Sequence, residues 1–179
     1  MKLAIDFDST VWPLLPAMGI SYEEVNYWGH LPDMLGGIEQ MNQVFTKVMP
    51  FKHAVDHPPF PGCVETLSDL RDQGVEIHLI THRETCYLAD VEKYIAHFEV
   101  PVDQIDCSPE VDKVQTCLER GIGILVDDHP EITIQAADAG LDAYMLLFNY
   151  NQHAREHGVV GCHDWYSMSE YLHRSLGLV

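Results

Sequence analysis

The chain has 179 residues, enough for one α/β domain with a sizeable core and a small insertion, but not for two full domains. Its 46% hydrophobic content and lack of low-complexity tracts exclude a disordered chain. With 28 acidic against 10 basic residues the formal charge is −18, which excludes a nucleic-acid polymer as partner, since that affinity rests on Lys and Arg neutralising phosphates.

Residues 3–7 are a short apolar run ending in acids, which predicts a buried strand delivering Asp6 and Asp8 to its C-terminal edge. Open α/β sheets bind their ligands at that edge. The stretch 15–58, bracketed by Pro13 and Pro59 and carrying a helical patch at 38–48, breaks the strand-helix rhythm and predicts an inserted helical cap. From Pro61 the rhythm begins. Val64, Leu67 and Leu70 share a helical face, Gly74 offers a stop, and 75–80 reads as a strand ending at Thr81. A second helix is expected over 84–98, with Tyr87, Val91, Tyr94, Ile95 and Phe98 at spacings of three and four, before Pro101 blocks continuation.

Val111, Val114 and Leu118 line the next helix, closed by Gly121, and 122–126 is an apolar strand ending at Asp127 and Asp128. A helix over 132–139 stopped by Gly140, a strand over 143–148, a polar loop over 149–163 and a closing helix over 165–176 with Met168, Tyr171 and Leu172 inward complete the chain. Such alternation predicts an α/β fold: a Rossmann-like parallel sheet with helices on both faces, its core formed by 1–14 and 59–179, with the cap at 15–58.

Cys63, Cys86, Cys107, Cys117 and Cys162 show no CxxC spacing and leave one thiol unpaired under any scheme, so reduced, buried cysteines and a cytoplasmic setting are expected. No signal-peptide core and no apolar run near the ~20 residues of a membrane span is present, which predicts no membrane partner. The oligomeric state has no signature in the sequence.

Four places carry chemistry. Asp6-Phe7-Asp8-Ser9-Thr10 puts two carboxylates two apart at a strand end, an arrangement that becomes tolerable when a divalent cation sits between them and a phosphate. Thr81 ends a strand, where its hydroxyl and the following amides, with His82 and Arg83 beside them, can hold phosphate oxygens or cap a helix. Lys113 opens a helix. Asp127-Asp128 ends a buried strand, a pair hard to explain without a cation. His153, His157 and His163 offer a competing zinc reading in the polar segment that follows. In the cap, Tyr22, Tyr27, Trp28 and Phe45 offer apolar faces, either to a base or to the core.

In their order and strand contexts, Asp6-x-Asp8-x-Thr10, Thr81, Lys113 and Asp127-Asp128 resemble the four motifs of the haloacid dehalogenase superfamily, over nearly the whole chain. Phe60-Pro61-Gly62, Ile80-Thr81-His82-Arg83, the run 124–130 and the late Trp165 are similar to its small 5'(3')-deoxyribonucleotidase-like members. Ser9 departs from them, standing where that group usually carries glycine, and Thr10-Val11-Trp12 differs from their usual aliphatic run. The resemblance implies a Mg²⁺-dependent phosphohydrolase in which Asp6 is the nucleophile and Asp8 the acid and base. It also implies that Asp6, Asp8 and Asp127 hold the metal with Asp128 in support, and that Thr81, His82, Arg83 and Lys113 bind phosphate. The substrate it implies is a nucleoside monophosphate, with a sugar phosphate as the alternative. A two-component receiver domain uses similar residues, but there the acidic pair precedes the phosphorylated Asp, whereas here it comes last. A non-catalytic phosphate-binding protein of the same fold would need a pocket but not Asp8.

Overall fold

The apolar run at the start of the chain forms β1 (Lys2–Ile5), in which Leu3, Ala4 and Ile5 are fully buried. In this computed structural model, which describes residues 1–178, strand and helix alternate from residue 63 onward, with two strands, at Gln104–Cys107 and Val160–Cys162, that were not expected. After β1 come four short helices, α1 (Leu14–Ala17), α2 (His30–Leu35), α3 (Ile38–Val48) and α4 (Phe51–Ala54), with a 3₁₀ turn at Tyr22–Glu24. The regular units follow: α5 (Cys63–Asp72), β2 (Glu76–Thr81), α6 (Leu88–His97), β3 (Gln104–Cys107), α7 (Lys113–Arg120), β4 (Ile124–Val126), α8 (Pro130–Asp138) and β5 (Asp142–Leu146). A 3₁₀ run over Asn149–His157, β6 (Val160–Cys162) and α9 (Trp165–Ser175) close the chain.

All pairings in the sheet are parallel, in the order β3-β2-β1-β4-β5-β6. Alternate residues of β1 face opposite sides, as a strand's period of two requires. Leu3 and Ile5 pack with Leu67 and Leu70 of α5, Val91 and Tyr94 of α6, and Trp165 and Met168 of α9. Ala4 faces the other way, toward Cys117 of α7 and Ala136 of α8. The sheet is thus covered on both faces, and because β1 lies between β2 and β4, whatever ends those three strands meets at one edge.

Several expectations change. Residues 149–163, expected as a loop, form the 3₁₀ run and an edge strand, because Tyr150, Asn151 and Ala154 turn inward. Leu118 is 47% exposed and the neighbouring Cys117 takes the core side of α7. Tyr171 stays at the surface under Arg174, so Trp165, Met168 and Leu172 form the inner face of α9. Cys86 is exposed, unlike the other four thiols. In the segment expected as a cap, α2 and α3 have no fully buried residue; Leu15, Ile20 and Val25 form a small cluster with Tyr150 of the 3₁₀ run. Among the described residues no helix is long and apolar enough to cross a membrane.

Candidate active site

Asp6 follows the last residue of β1, and its amide donates to the Val126 carbonyl (2.8 Å), so the strand ladder itself brings Asp6 beside Asp127. Beyond Asp6 the chain turns sharply, with the Val11 and Trp12 amides both donating to the Phe7 carbonyl and the Ser9 amide to that of Trp12. Ser9 takes a φ of 55°, the left-handed region that favours glycine. The Trp165 indole donates to the Thr10 carbonyl (2.9 Å) and anchors the turn from the closing helix.

Lys113, the first residue of α7, is set by the Asp112 cap, whose carboxylate accepts the Gln115 amide at 2.9 Å. Its Nζ donates to Asp6 Oδ1 and to Asp127 Oδ2, both at 2.6 Å, with all three side chains buried. Asp127 Oδ1 accepts the His129 amide (2.9 Å). Asp128 accepts the Tyr150 hydroxyl (2.6 Å), and Asn151 donates to the Asp128 and Leu146 carbonyls, tying the end of β4 to the chain after β5. Tyr150 and Asn151 were not singled out from the sequence; the spacing of Tyr150 and Ala154, one helical turn apart, was the available signal.

Asp6, Asp127 and Asp128 are the group of candidate metal-binding side chains found among the described residues, with one ligand oxygen of each within 4.8 Å of the others. The exposed His153, His157 and His163 form no such group. Burial pushes the Asp6 carboxyl up to about 7, with Asp127 and Asp8 adding to the rise and Lys113 opposing it. Burial, then Asp127 and Asp6, holds Asp128 well above the ordinary carboxyl range. Burial alone would lower Lys113, but the two carboxylates outweigh it and keep the ammonium charged. Fully ionised, the three acids carry two charges more than the ammonium offsets, a deficit that fits one divalent cation bound by hard oxygens.

Asp8 lies apart from that group. Its carboxylate takes hydrogen bonds from Arg83 Nε (3.1 and 3.0 Å) and Nη2 (2.7 Å). Arg83, expected at the phosphate, therefore spends these donors on Asp8. Thr81 is buried at the end of β2, its hydroxyl accepting the Arg83 amide at 3.4 Å. His82 is exposed, with Nε2 2.7 Å from the Val111 carbonyl in the approach to Lys113.

A cavity of about 480 Å³ opens over these groups, within the usual range for small-ligand sites. Asp6, Asp8, Thr81, His82, Lys113 and Asp128 line its floor. The wall from the segment after β1 is apolar, including Leu14, Leu31, Met41, Phe45 and Met49 with Tyr27 and Trp28. Tyr22 is not among its lining; its ring stacks on Phe148 at 3.9 Å.

No family model matches the chain. A candidate nucleotidase of Bacillus cereus is 29% identical over 98 residues, 53% of this chain, and the chain spans about half the length of that relative, 52%. Among solved structures, a candidate β-phosphoglucomutase of Thermotoga maritima superposes with a TM-score of 0.66 at 13% identity, covering 97% of this chain and 98% of that one. The D,D-heptose 1,7-bisphosphate phosphatase of B. bronchiseptica, solved with magnesium and phosphate, gives 0.60 at 15% identity over 98% and 99%. The fold is therefore the haloacid dehalogenase-like α/β fold.

Proposed function

We propose that the chain is a Mg²⁺-dependent phosphomonoesterase that acts through an aspartyl-phosphate, with a nucleoside monophosphate, a deoxyribonucleotide, as substrate. One observation carries the reading: a buried strand-end carboxylate, Asp6, has Lys113 on one oxygen and opens onto a cavity whose far wall is apolar. A phosphoryl group on the floor would meet Asp6, Lys113 and Thr81, while the ester's organic part would lie against Phe45, Met41 and Trp28. A wall of that kind offers faces to a base and few partners to the hydroxyls of a sugar phosphate. The partial match to a candidate nucleotidase points the same way.

In this reading Asp6 attacks phosphorus and the ester oxygen leaves, taking a proton from Asp8. Asp8 then removes a proton from water, which attacks the aspartyl-phosphate, freeing Asp6 and inorganic phosphate. Lys113 and Thr81 orient the phosphoryl oxygens throughout. The carboxylates of Asp6 and Asp127 and the backbone carbonyl of Asp8 would hold Mg²⁺, supported by Asp128, and the ion supplies charge neutralisation for the phosphoryl oxygens. Asp128 stands close enough to join directly.

The test is turnover of a phosphomonoester panel with Mg²⁺ by the wild type and by Asp6→Asn, which keeps the volume and loses the nucleophile. The variant is expected to be folded and inactive; retention of more than about a hundredth of the activity, a loss under ~3 kcal/mol in the barrier, overturns Asp6 as nucleophile. Sugar phosphates turned over as well as deoxynucleotides would overturn the substrate assignment alone.

A further inference from the structure

Arg83 is 3% exposed, and every nitrogen of its guanidinium has a partner inside the protein. Nε and Nη2 donate to Asp8, and Nη1 donates to the Met49 carbonyl (3.3 Å) at the end of α3, beside the cavity. The guanidinium carbon lies 4.5 Å from the ring centroids of both Phe7 and Trp12. Two stacked contacts and a fork of hydrogen bonds leave this side chain little freedom. A buried ion pair that served only stability would be an unusual way to gain it, since such pairs often do no better than apolar packing. This one engages the second carboxylate of the Asp6-x-Asp8 pair, whose side chain is 20% exposed and borders the cavity.

The two Asp8 oxygens are held unequally. Oδ1 accepts from both Nε and Nη2, whereas Oδ2 accepts from Nε alone. We propose that Arg83 is a positioning residue for proton transfer: it pins Asp8 through Oδ1, leaves Oδ2 as the oxygen that carries the proton, and through Met49 joins that arrangement to the end of α3. The proposal rests on the phosphomonoesterase reading. In the first half-reaction the proton passes from Oδ2 to the departing ester oxygen while the phosphorus–oxygen bond breaks. In the second, Oδ2 takes a proton from the attacking water. Lysine cannot reproduce the fork, so Arg83→Lys keeps the charge and loses the geometry.

The experiment measures leaving-group release in a single turnover with enzyme in excess, which reports the first half-reaction, for an alkyl phosphate and for p-nitrophenyl phosphate, whose leaving group needs little protonation. In Arg83→Lys and Arg83→Gln the aryl-to-alkyl ratio of single-turnover rates is expected to rise at least ~30-fold, within what a general acid contributes. Asp8→Asn should raise the ratio similarly, and adding Arg83→Lys to it should change the ratio no further. Arg83→Lys guards against a fold loss in Arg83→Gln, with circular dichroism checking both. Equal losses on the two esters, or a further rise in the double variant, overturns the proposal while the phosphatase reading stands. A wild type that releases neither leaving group in the presence of Mg²⁺ overturns both.

Discussion

Replacing Lys113 with glutamine removes the one ammonium among three buried acids, and the structure sets the size of the effect. Its Nζ lies 2.6 Å from both Asp6 and Asp127, and the three side chains are 3%, 6% and 0% exposed. Breaking a buried pair by deleting one partner costs about 3–5 kcal/mol, because the other charge is left uncompensated. Part of that cost is avoided when an acid takes up a proton. The Asp6 carboxyl, already pushed by burial to about 7, lies well above the ~3.9 of an unfolded aspartate. Between those values the folded state binds more protons than the unfolded, so this group's contribution to stability falls as pH rises. Loss of Lys113 raises Asp6 further and extends the fall to higher pH. In EDTA, Lys113→Gln should therefore melt about 6–20 °C below wild type, at ~2–4 °C per kcal/mol for a chain of this size. The gap should be wider at pH 8 than at pH 6, and Mg²⁺ should recover part of it by replacing the missing charge. Circular dichroism melts at the two pH values make the comparison. A variant within ~2 °C of wild type at both would refute the account of three acids sharing one cation.

Other outcomes follow from single residues. At Ser9, with its φ of 55°, Ser9→Gly should be more stable than Ser9→Ala by about 1 kcal/mol in urea titrations, the reverse of their usual order, because only glycine occupies this region without strain. Phe45→Ala and Trp28→Ala, on the cavity's apolar wall, should raise KM for a deoxynucleotide about ten-fold while sparing p-nitrophenyl phosphate, given ~1–3 kcal/mol for stacking a base on an aromatic ring. Equal effects on both esters would remove these rings from substrate binding. Chelation should abolish turnover and Mg²⁺ restore it, with zinc a poor substitute at all-oxygen ligands; full turnover in excess EDTA would contradict the metal assignment.

The elements that position the site were legible because their signals are local. An apolar run followed by acids marks β1 and β4, and a strand ending in threonine marks β2; the structure gathers these ends at one edge. The edge strands were not legible: β3 alternates polar Gln104 and Asp106 with Ile105 and Cys107, and β6 is three residues inside a polar segment. Within the site, residue identities could be read but pairings could not. Asp8 and Arg83 are 75 positions apart, and only the folded chain shows that the arginine faces the second aspartate. Tyr150 holds Asp128 from a segment whose polar composition hid its inward face.

The thinness of the packing under α2 and α3 bears on what occupancy does to the protein. These helices bury no residue completely: Met41 and Phe45 line the cavity, and Leu31 both lines it and packs only partly buried on the small cluster of Leu15, Ile20 and Val25. Segments with few buried apolar contacts open at low free-energy cost, so amides over 30–48 should exchange far faster than those of β1 or β4. An apolar ligand body seated against those three residues would complete a core that the chain leaves unfinished. Binding would then slow exchange across α2 and α3, with the substrate serving for a time as part of the protein's interior.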